Sequence, residues 1–508
     1  MDSLLAGLQM LAAPDALLAL LIGTIVGIVV GALPGLGSVL AITMALPLTF
    51  VLGQGASIAL LLGLYCGSVY GGSISAILLN TPGTPQAAAT AFDGYPLACA
   101  GRADLALGWA TTASAIGGII ATLILAVAAP MLARVGLKFG PIEYFALGLF
   151  ALTCIVSVSR EDMTKGIMAG LAGLFVAVIG QDVLTGAMRF DFNSFELSAG
   201  IGLVPFLVGL FALSEVFWRA SELNSANTGK ILSSGFSFPG FRELRLRSGV
   251  LIKSSLIGTW VGCLPGVGAT SASMVSYAEA KRSSPRRANF GKGEPDGLIA
   301  SEASNNAVTA GAMVPTLSLG VPGDPITAVM LGALALQGIT PGPRLFMENG
   351  DLMLFIFMAL LLANVLLFIC GALMTPLFSR ILRVPEPVLL SLIVVLVAIG
   401  TYSINSNPFD LLVMFSAGLA GFLLRYNGFP LAPIVIGFVL GPMIEQSLRQ
   451  GLIITRGSFF EFLSYPIALG LFILTGLFLM LPLLRVWLGK ALQHRKHKAG
   501  LQENGNDI

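Results

Sequence analysis

Histidine is nearly missing from this 508-residue chain: His494 and His497 are the only two, both in a polar C-terminal stretch. A histidine-built metal site or a serine–histidine pair within the apolar part is thereby excluded. Charged residues make up only 11%, and the first Lys or Arg is Arg102. A cleavable signal peptide begins with a basic segment, so none is expected. The five cysteines fall mostly in apolar runs without a framework spacing, and read as small hydrophobes. The formal net charge of +2 arises from short clusters between apolar runs and points to no nucleic-acid partner.

Apolar residues are abundant instead, at 56%. Several runs reach the roughly 20 residues that a helix needs to span a bilayer. The composition is that of an all-α polytopic membrane protein embedded in lipid. Apolar runs predict crossings near 56–92, 105–131, 142–159, 164–184 and 200–218, then 297–340, 352–379, 385–404, 409–425, 431–448 and 465–487, about 11 in all. The polar stretch 219–253 carries Arg242, Arg245 and Arg247, and is expected to be a cytoplasmic connecting loop. Counting outward from it places the N-terminus outside and the tail, 491–508, in the cytoplasm. Arg380, Arg383 and Arg425 then fall inside, whereas Arg134, Lys138, Arg449 and Arg456 fall outside, against the rule.

Two apolar segments break themselves. In "GTWVGCLPGVGAT", Gly258 to Thr270, the arms from Lys253 to Pro265 and from Pro265 to Lys281 rise about 18 and 24 Å, each short of a hydrocarbon core of roughly 30 Å. Both flanks are basic, which predicts a re-entrant hairpin turning at Leu264-Pro265-Gly266; a proline-kinked single crossing is the alternative. "GIVVGALPGLGSV", from Gly27 to Val39, matches it, with Gly27, Gly31, Pro34, Gly35 and Gly37 mapping onto Gly258, Gly262, Pro265, Gly266 and Gly268 at one constant offset. Downstream, "NTPGTP" at Asn80 to Pro85 pairs in the same order with "GVPGDP" at Gly320 to Pro325.

This duplication, with an odd number of crossings between the copies, predicts inverted repeats with two hairpins and two broken helices, a pattern of secondary transporters. The first repeat is expected at 1–218 and the second at 254–448, with an additional C-terminal helix in 449–490. Backbone unwound in lipid is tolerated only where it faces protein or a water-filled site, so the four breaks are expected around one midplane cavity. Half-helix N-termini there suit carboxylates, and bare carbonyls suit Na⁺. Because the apolar segments hold almost no Lys or Arg, backbone and hydroxyl donors are expected to hold the anion.

The residues expected to contact substrate are Pro34, Gly35, Gly37, Ser38, Asn80, Pro82, Gly83, Thr84, Pro265, Gly266, Gly268, Thr270, Ser271, Pro322, Gly323 and Thr327, with Asn305 and Asn306 of "EASNNA". For the two asparagines, packing hydrogen bonds are the alternative. Glu302 and Asp324 are the candidates for ion coupling. Glu302 could instead cap a helix or pair with Lys292, and Asp324 could be a helix N-cap. Asp93 reads as a loop turn. Gly291-Lys292-Gly293 is no Walker loop, since that pattern needs Gly at Arg286 and Ser or Thr at Gly293. A membrane-embedded enzyme would need catalytic groups at depth and a channel a continuous polar lining; neither is evident.

At "LPGLG", "YGGSISAILLNTPGTPQAAATAFDGYP", "FGKG", "EASNNA", "LSLGVPGDPITAVMLGAL" and "GITPGPRLF" the chain resembles the large membrane subunit of tripartite tricarboxylate transporters, the TctA family, from about Gly23 to Leu484. Relative to the usual family pattern, the acidic residue of the first break is shifted to the second, at Asp324. The resemblance implies an ion-driven secondary transporter of a bacterial inner membrane, with elevator-like motion and no cofactor. It also implies two partners, a small four-helix membrane subunit and a periplasmic solute-binding protein that delivers a citrate-like di- or tricarboxylate. The carbonyl-rich breaks favour Na⁺ over H⁺ as the coupling ion.

Overall fold

The computed structural model describes residues 2–158, 163–182, 184–222, 235–382 and 384–480. The expected tail, the end of the last expected crossing and 223–234 of the connecting loop lie outside the described residues. After α1 (Asp2–Ala12), the first half comprises α2 (Pro14–Ala32), α3 (Gly37–Ala45), α4 (Gln54–Leu79), α5 (Ala88–Leu97), α6 (Ala103–Gly136), α7 (Pro141–Val158), α8 (Met163–Ala177) and α9 (Leu203–Glu222). The second half runs through eight helices in a matching order: α10 (Ser248–Gly262), α11 (Gly268–Ser283), α12 (Pro295–Leu319), α13 (Pro325–Leu336), α14 (Gly350–Ile381), α15 (Glu386–Asn405), α16 (Pro408–Tyr426) and α17 (Leu431–Ile454). A final apolar helix, α18 (Pro466–Met480), follows.

Among the described residues eight helices are long and apolar enough to cross a membrane, and five shorter apolar helices accompany them. The 25-residue α12 is not one of the eight, because Glu302, Asn305, Asn306 and its many Ser and Thr make it too polar. Its polarity is tolerable because it is buried along nearly its whole length. Proline opens several of these helices, at Pro14, Pro295, Pro325 and Pro408, where the missing N–H costs nothing.

The second interrupted segment turns back on itself. Lys253 Nζ on α10 donates to Glu279 Oε1 on α11 at 2.6 Å and reaches Ser283 Oγ at 3.4 Å, so the two basic flanks lie at one end of a hairpin. At its tip Gly266 and Gly268 have φ of 78° and 67°. Gly35 and Gly37, at the tip between α2 and α3, have φ of 84° and 70°. The two tips share one backbone shape, and glycine is required because these angles are strained for any residue with a Cβ.

The chain also breaks where expected after α4 and α12. Asn80 (φ 55°) and Gly320 (φ 71°) end these helices in the left-handed region. Short extended segments follow, and α5 and α13 begin only beyond them. The crossings expected at 56–92 and 297–340 are therefore each two helices around a break.

Small residues let these pieces interlock. A Cβ on Gly23, Gly27 or Gly31 of α2 would come within 2.4, 2.7 or 2.2 Å of a carbonyl oxygen of α4. A Cβ on Gly258 of α10 would lie 2.3 Å from Ser304 O of α12, and one on Gly117 of α6 would lie 2.2 Å from Ala303 O. The hairpins, broken helices, α6 and α14 thus form one inner group built from both halves. A second group forms where α8 packs on α17, Gly173 against Ile434 and Gly437 against Gly170, and where α9 packs on α16 through Gly209 and Met414.

Two expected boundaries move. The crossing placed at 164–184 stops as helix at Ala177. There Gly180 (φ 109°) turns the chain into a two-residue antiparallel ladder, Gly180–Gln181 with Met188–Arg189, and Asp182 takes the N–H groups of Leu184 and Thr185. The loop expected at 219–253 is shorter at both ends, since α9 runs to Glu222 and α10 starts at Ser248. Arg247, just before α10, is anchored by Asp296 and by Glu294 at 3.2 Å.

Candidate functional site

Both hairpin tips and both helix breaks meet. Gly266 N–H of the second tip donates to Gly323 C=O of the second break at 2.7 Å. A Cβ on Gly83, in the first break, would lie 2.1 Å from Gly31 O beside the first tip. Between them is a cavity of about 950 Å³. Of the residues expected to contact substrate, Pro34, Gly35, Gly37, Ser38, Pro82, Gly83, Thr84, Gly266, Gly268, Thr270 and Ser271 line it, together with Asp324.

Others stand behind this wall or away from it. Pro265, Pro322 and Gly323 are buried supports of the tip and break, Gly323 N–H reaching Thr316 Oγ1 at 3.3 Å. Asn80 is an exposed helix terminus outside the wall. Thr327 belongs to a capping box: Asp324 Oδ1 accepts the Thr327 N–H at 2.7 Å and its hydroxyl at 2.9 Å, while Asp324 N–H donates to Thr327 Oγ1 at 2.9 Å. Tyr65 of α4 donates to the other carboxylate oxygen of Asp324 at 2.7 Å. Asp324 is therefore the N-cap of α13, and it also faces the cavity.

The opposite half-helix is capped differently. Thr84 holds the N-cap position before the 3₁₀ turn that leads into α5, but its side chain makes no cap hydrogen bond. Among the described residues its Oγ1, packed at Gly72, has no hydrogen-bond partner, and neither does Ser38 Oγ; Thr84 and Ser38 are 1% and 2% exposed.

Glu302, Asn305 and Asn306 lie deeper in α12, outside the cavity wall and fully buried. The Glu302 carboxylate accepts from Ser73 Oγ at 2.6 Å, Ser114 Oγ at 2.8 Å and the Thr90 hydroxyl, drawing α4, α5 and α6 onto α12. Lys292 is not its partner; among the described residues no basic side chain pairs with it. Both side-chain atoms of Asn305 and of Asn306 lack partners.

Two basic side chains also reach the cavity. Arg219, at the end of α9, and Arg425, at the end of α16, stand on the cavity wall beside Glu215. Arg219 Nε pairs with Glu215 Oε1 at 3.0 Å and its Nη1 with Glu386 at 3.4 Å; Arg425 pairs with the other Glu215 oxygen and covers Trp218, 4.5 Å from the ring centre. The Arg219 guanidinium lies directly on Gly35, where a Cβ would fall 0.8 Å from Nη2. In the sequence these arginines read only as markers of membrane sidedness. Their position at the ends of apolar runs was visible, but their convergence from two distant helices was not.

Asp93 proves more than a loop turn. Its Oδ1 accepts the N–H groups of Gly291, Gly293 and Glu294, each at 2.8 Å, and Oδ2 accepts Tyr277 OH at 2.9 Å. The glycine-rich loop thus spends its donors on the protein's own carboxylate, consistent with the absence of a phosphate-loop pattern.

Residues 17–436 match the model of the tripartite tricarboxylate transporter TctA family. An Agrobacterium vitis protein, described as an uncharacterised 52.8 kDa protein in the TAR-I ttuC' 3' region, is 39% identical over 472 residues, covering 92% of this chain and 93% of its own length. A second from the same organism, described as an uncharacterised protein in the TAR-II ttuC' 3' region, is 38% identical over 231 residues, 45% of this chain and 96% of its own length. No solved structure matches.

Proposed function

The chain belongs to the TctA family of tripartite tricarboxylate transporters, and from that premise we propose that it is the large membrane subunit of an ion-gradient-driven importer of citrate-like di- and tricarboxylates. Membership makes it a multi-pass membrane transporter and not an enzyme. In this reading it works in a bacterial inner membrane with a small four-helix membrane subunit, and receives its substrate from a periplasmic solute-binding protein.

The observation that carries the reading is the single cavity of about 950 Å³ shared by both hairpin tips and both helix breaks. Its wall combines half-helix starts, hydroxyls and two arginines, which suits a small molecule bearing several carboxylates. A substrate of this kind competes with Glu215 and Glu386 for Arg219, and so loosens the contact between the second helix group and Gly35. Movement of the inner group past α7–α9 and α15–α17 would carry the site across the membrane in the manner of an elevator.

Coupling is assigned to Glu302, with Asp324 as the second acidic group, and Na⁺ is preferred to H⁺. A fully buried carboxylate without a basic partner favours a companion cation, and Asn305 and Asn306 stand three and four residues along the same helix face. The test is uptake of labelled citrate, succinate and tartrate into proteoliposomes containing both membrane subunits and the binding protein. Uptake should require an imposed Na⁺ gradient; uptake at full rate with no ion gradient sinks the proposal.

A further inference from the structure

The two half-helices that face the cavity carry unequal caps, and the difference describes a ligand. At the second, Asp324 supplies a carboxylate to the first turn of α13. That carboxylate has three kinds of donor: the Thr327 N–H, the Thr327 hydroxyl and the Tyr65 hydroxyl, which reaches it from the other repeat. At the first, the matching position is Thr84 and the residue matching Thr327 is Ala87, whose N–H goes to Thr84 O at 3.1 Å. Among the described residues no carboxylate caps this end.

The offset of 240 residues that carries Thr84 onto Asp324 also carries Tyr65 onto Asn305. Asn305 stands on α12 outside the cavity wall. Asn305, Thr84 and Ser38 are buried and their side-chain polar atoms unpartnered, whereas Tyr65, Asp324 and Thr327 satisfy one another. Unpartnered hydroxyls thus stand at the first cap, whereas the second has its acceptor in Asp324.

We infer that the first half-helix, with Thr84 and Ser38, is the subsite for one carboxylate group of the substrate, and that Asp324 occupies the corresponding place in the second half as a built-in counterpart. This inference rests on the carboxylate-transport reading and assigns that reading's anion to one side of the cavity. The remaining carboxylates of a di- or tricarboxylate then face Arg219 and Arg425 across the cavity. This helix start offers positive potential to an anion and the N–H of Gln86, since Pro85 has none and those of Ala87 and Ala88 go to Thr84 O and Pro85 O; the hydroxyls of Thr84 and Ser38 add directional bonds. The sequence difference between the breaks thereby acquires a chemical meaning: a permanent carboxylate on both sides would leave no helix start open for the substrate.

The test is binding of citrate, succinate and tartrate to the purified full chain in nanodiscs, by calorimetry, for wild type, Thr84→Ser, Thr84→Val, Ser38→Ala and Thr84→Asp. Thr84→Ser keeps the hydroxyl and should bind within about threefold of wild type. Thr84→Val and Ser38→Ala each lose one bond to a charged group and should bind roughly ten- to a hundredfold more weakly. Thr84→Asp builds the counterpart into the first repeat and should abolish binding while the variant keeps the elution volume and thermal transition of Thr84→Ser. Wild-type affinity in a folded Thr84→Asp or Thr84→Val overturns the subsite and leaves the transport reading intact. If the wild type binds none of the three acids, the transport reading on which the subsite rests falls with it.

Discussion

Gly266 and Gly323 are joined by a single hydrogen bond, 2.7 Å from the N–H of one to the carbonyl of the other, so the tip of the second hairpin and the break of the neighbouring helix are one unit. A Cβ on Gly323 would come within 2.7 Å of the Ala312 Cα and carbonyl oxygen. These are backbone atoms and cannot swing aside. Gly323→Ala should therefore cost about 1–3 kcal/mol of stability and depress uptake by displacing the cavity wall. Gly350→Ala, where nothing lies within 4 Å, is the control. Denaturant unfolding and uptake measured on both variants check this, and equal behaviour refutes it.

Arg219 should matter more for substrate than for folding. It is 21% exposed and shares Glu215 with Arg425, so its removal leaves that glutamate a partner. Arg219→Gln is expected to raise the KM for a tricarboxylate roughly tenfold or more while the thermal transition moves little. Arg219→Lys should restore only part, because a point charge cannot reproduce a planar fork resting on Gly35. An unchanged KM in Arg219→Gln would remove it from the site.

Glu302 offers a separable readout. In Glu302→Gln the amide can still accept from the surrounding hydroxyls and the chain should fold, but uptake should lose its dependence on the ion gradient. Glu302→Ala leaves Ser73, Thr90 and Ser114 without their acceptor and should be less stable by about 1–3 kcal/mol. Gradient-dependent uptake in Glu302→Gln at the wild-type rate would place coupling elsewhere.

Asp182, in the turn after α8, gives an acid-sensitive contact. Hydrogen bonding from the Thr185 N–H, then from Arg449 and the Leu184 N–H, holds its carboxyl well below the usual carboxylate range. A depressed folded value means that its contribution is complete above the unfolded value, about 3.9, and is lost as pH falls below it. The thermal transition of the wild type should therefore drop between about pH 5 and pH 3, and that of Asp182→Asn should start lower and drop less. Parallel curves for the two proteins would rule out this role.

Much of this was legible in the sequence because breaks in apolar helices are written in Pro and Gly. The tips at Pro34 and Pro265 and the breaks at Pro82 and Pro322 stand where the local pattern placed them. Backbone that leaves a helix needs residues that tolerate it, and these are few. The convergence of Arg219 and Arg425 could not be read, because it depends on how α9 packs on α16 through Gly209 and Met414, a relationship between residues about 200 apart in the chain. The end of α8 at Ala177 was missed for a different reason. Val178 and Ile179 continue the apolar run past it, and the turn that follows is fixed by Asp182 accepting backbone donors, which hydropathy does not register.

The Asp93 contacts have a mechanical consequence. Asp93 sits on α5, the half-helix of the first repeat, and the N–H groups it holds belong to the linker entering α12 of the second; its other oxygen is tied to α11 through Tyr277. Four hydrogen bonds at one side chain thus fasten together three elements from the two halves of the chain. A displacement of α5 would therefore be transmitted directly to the hairpin of the second half.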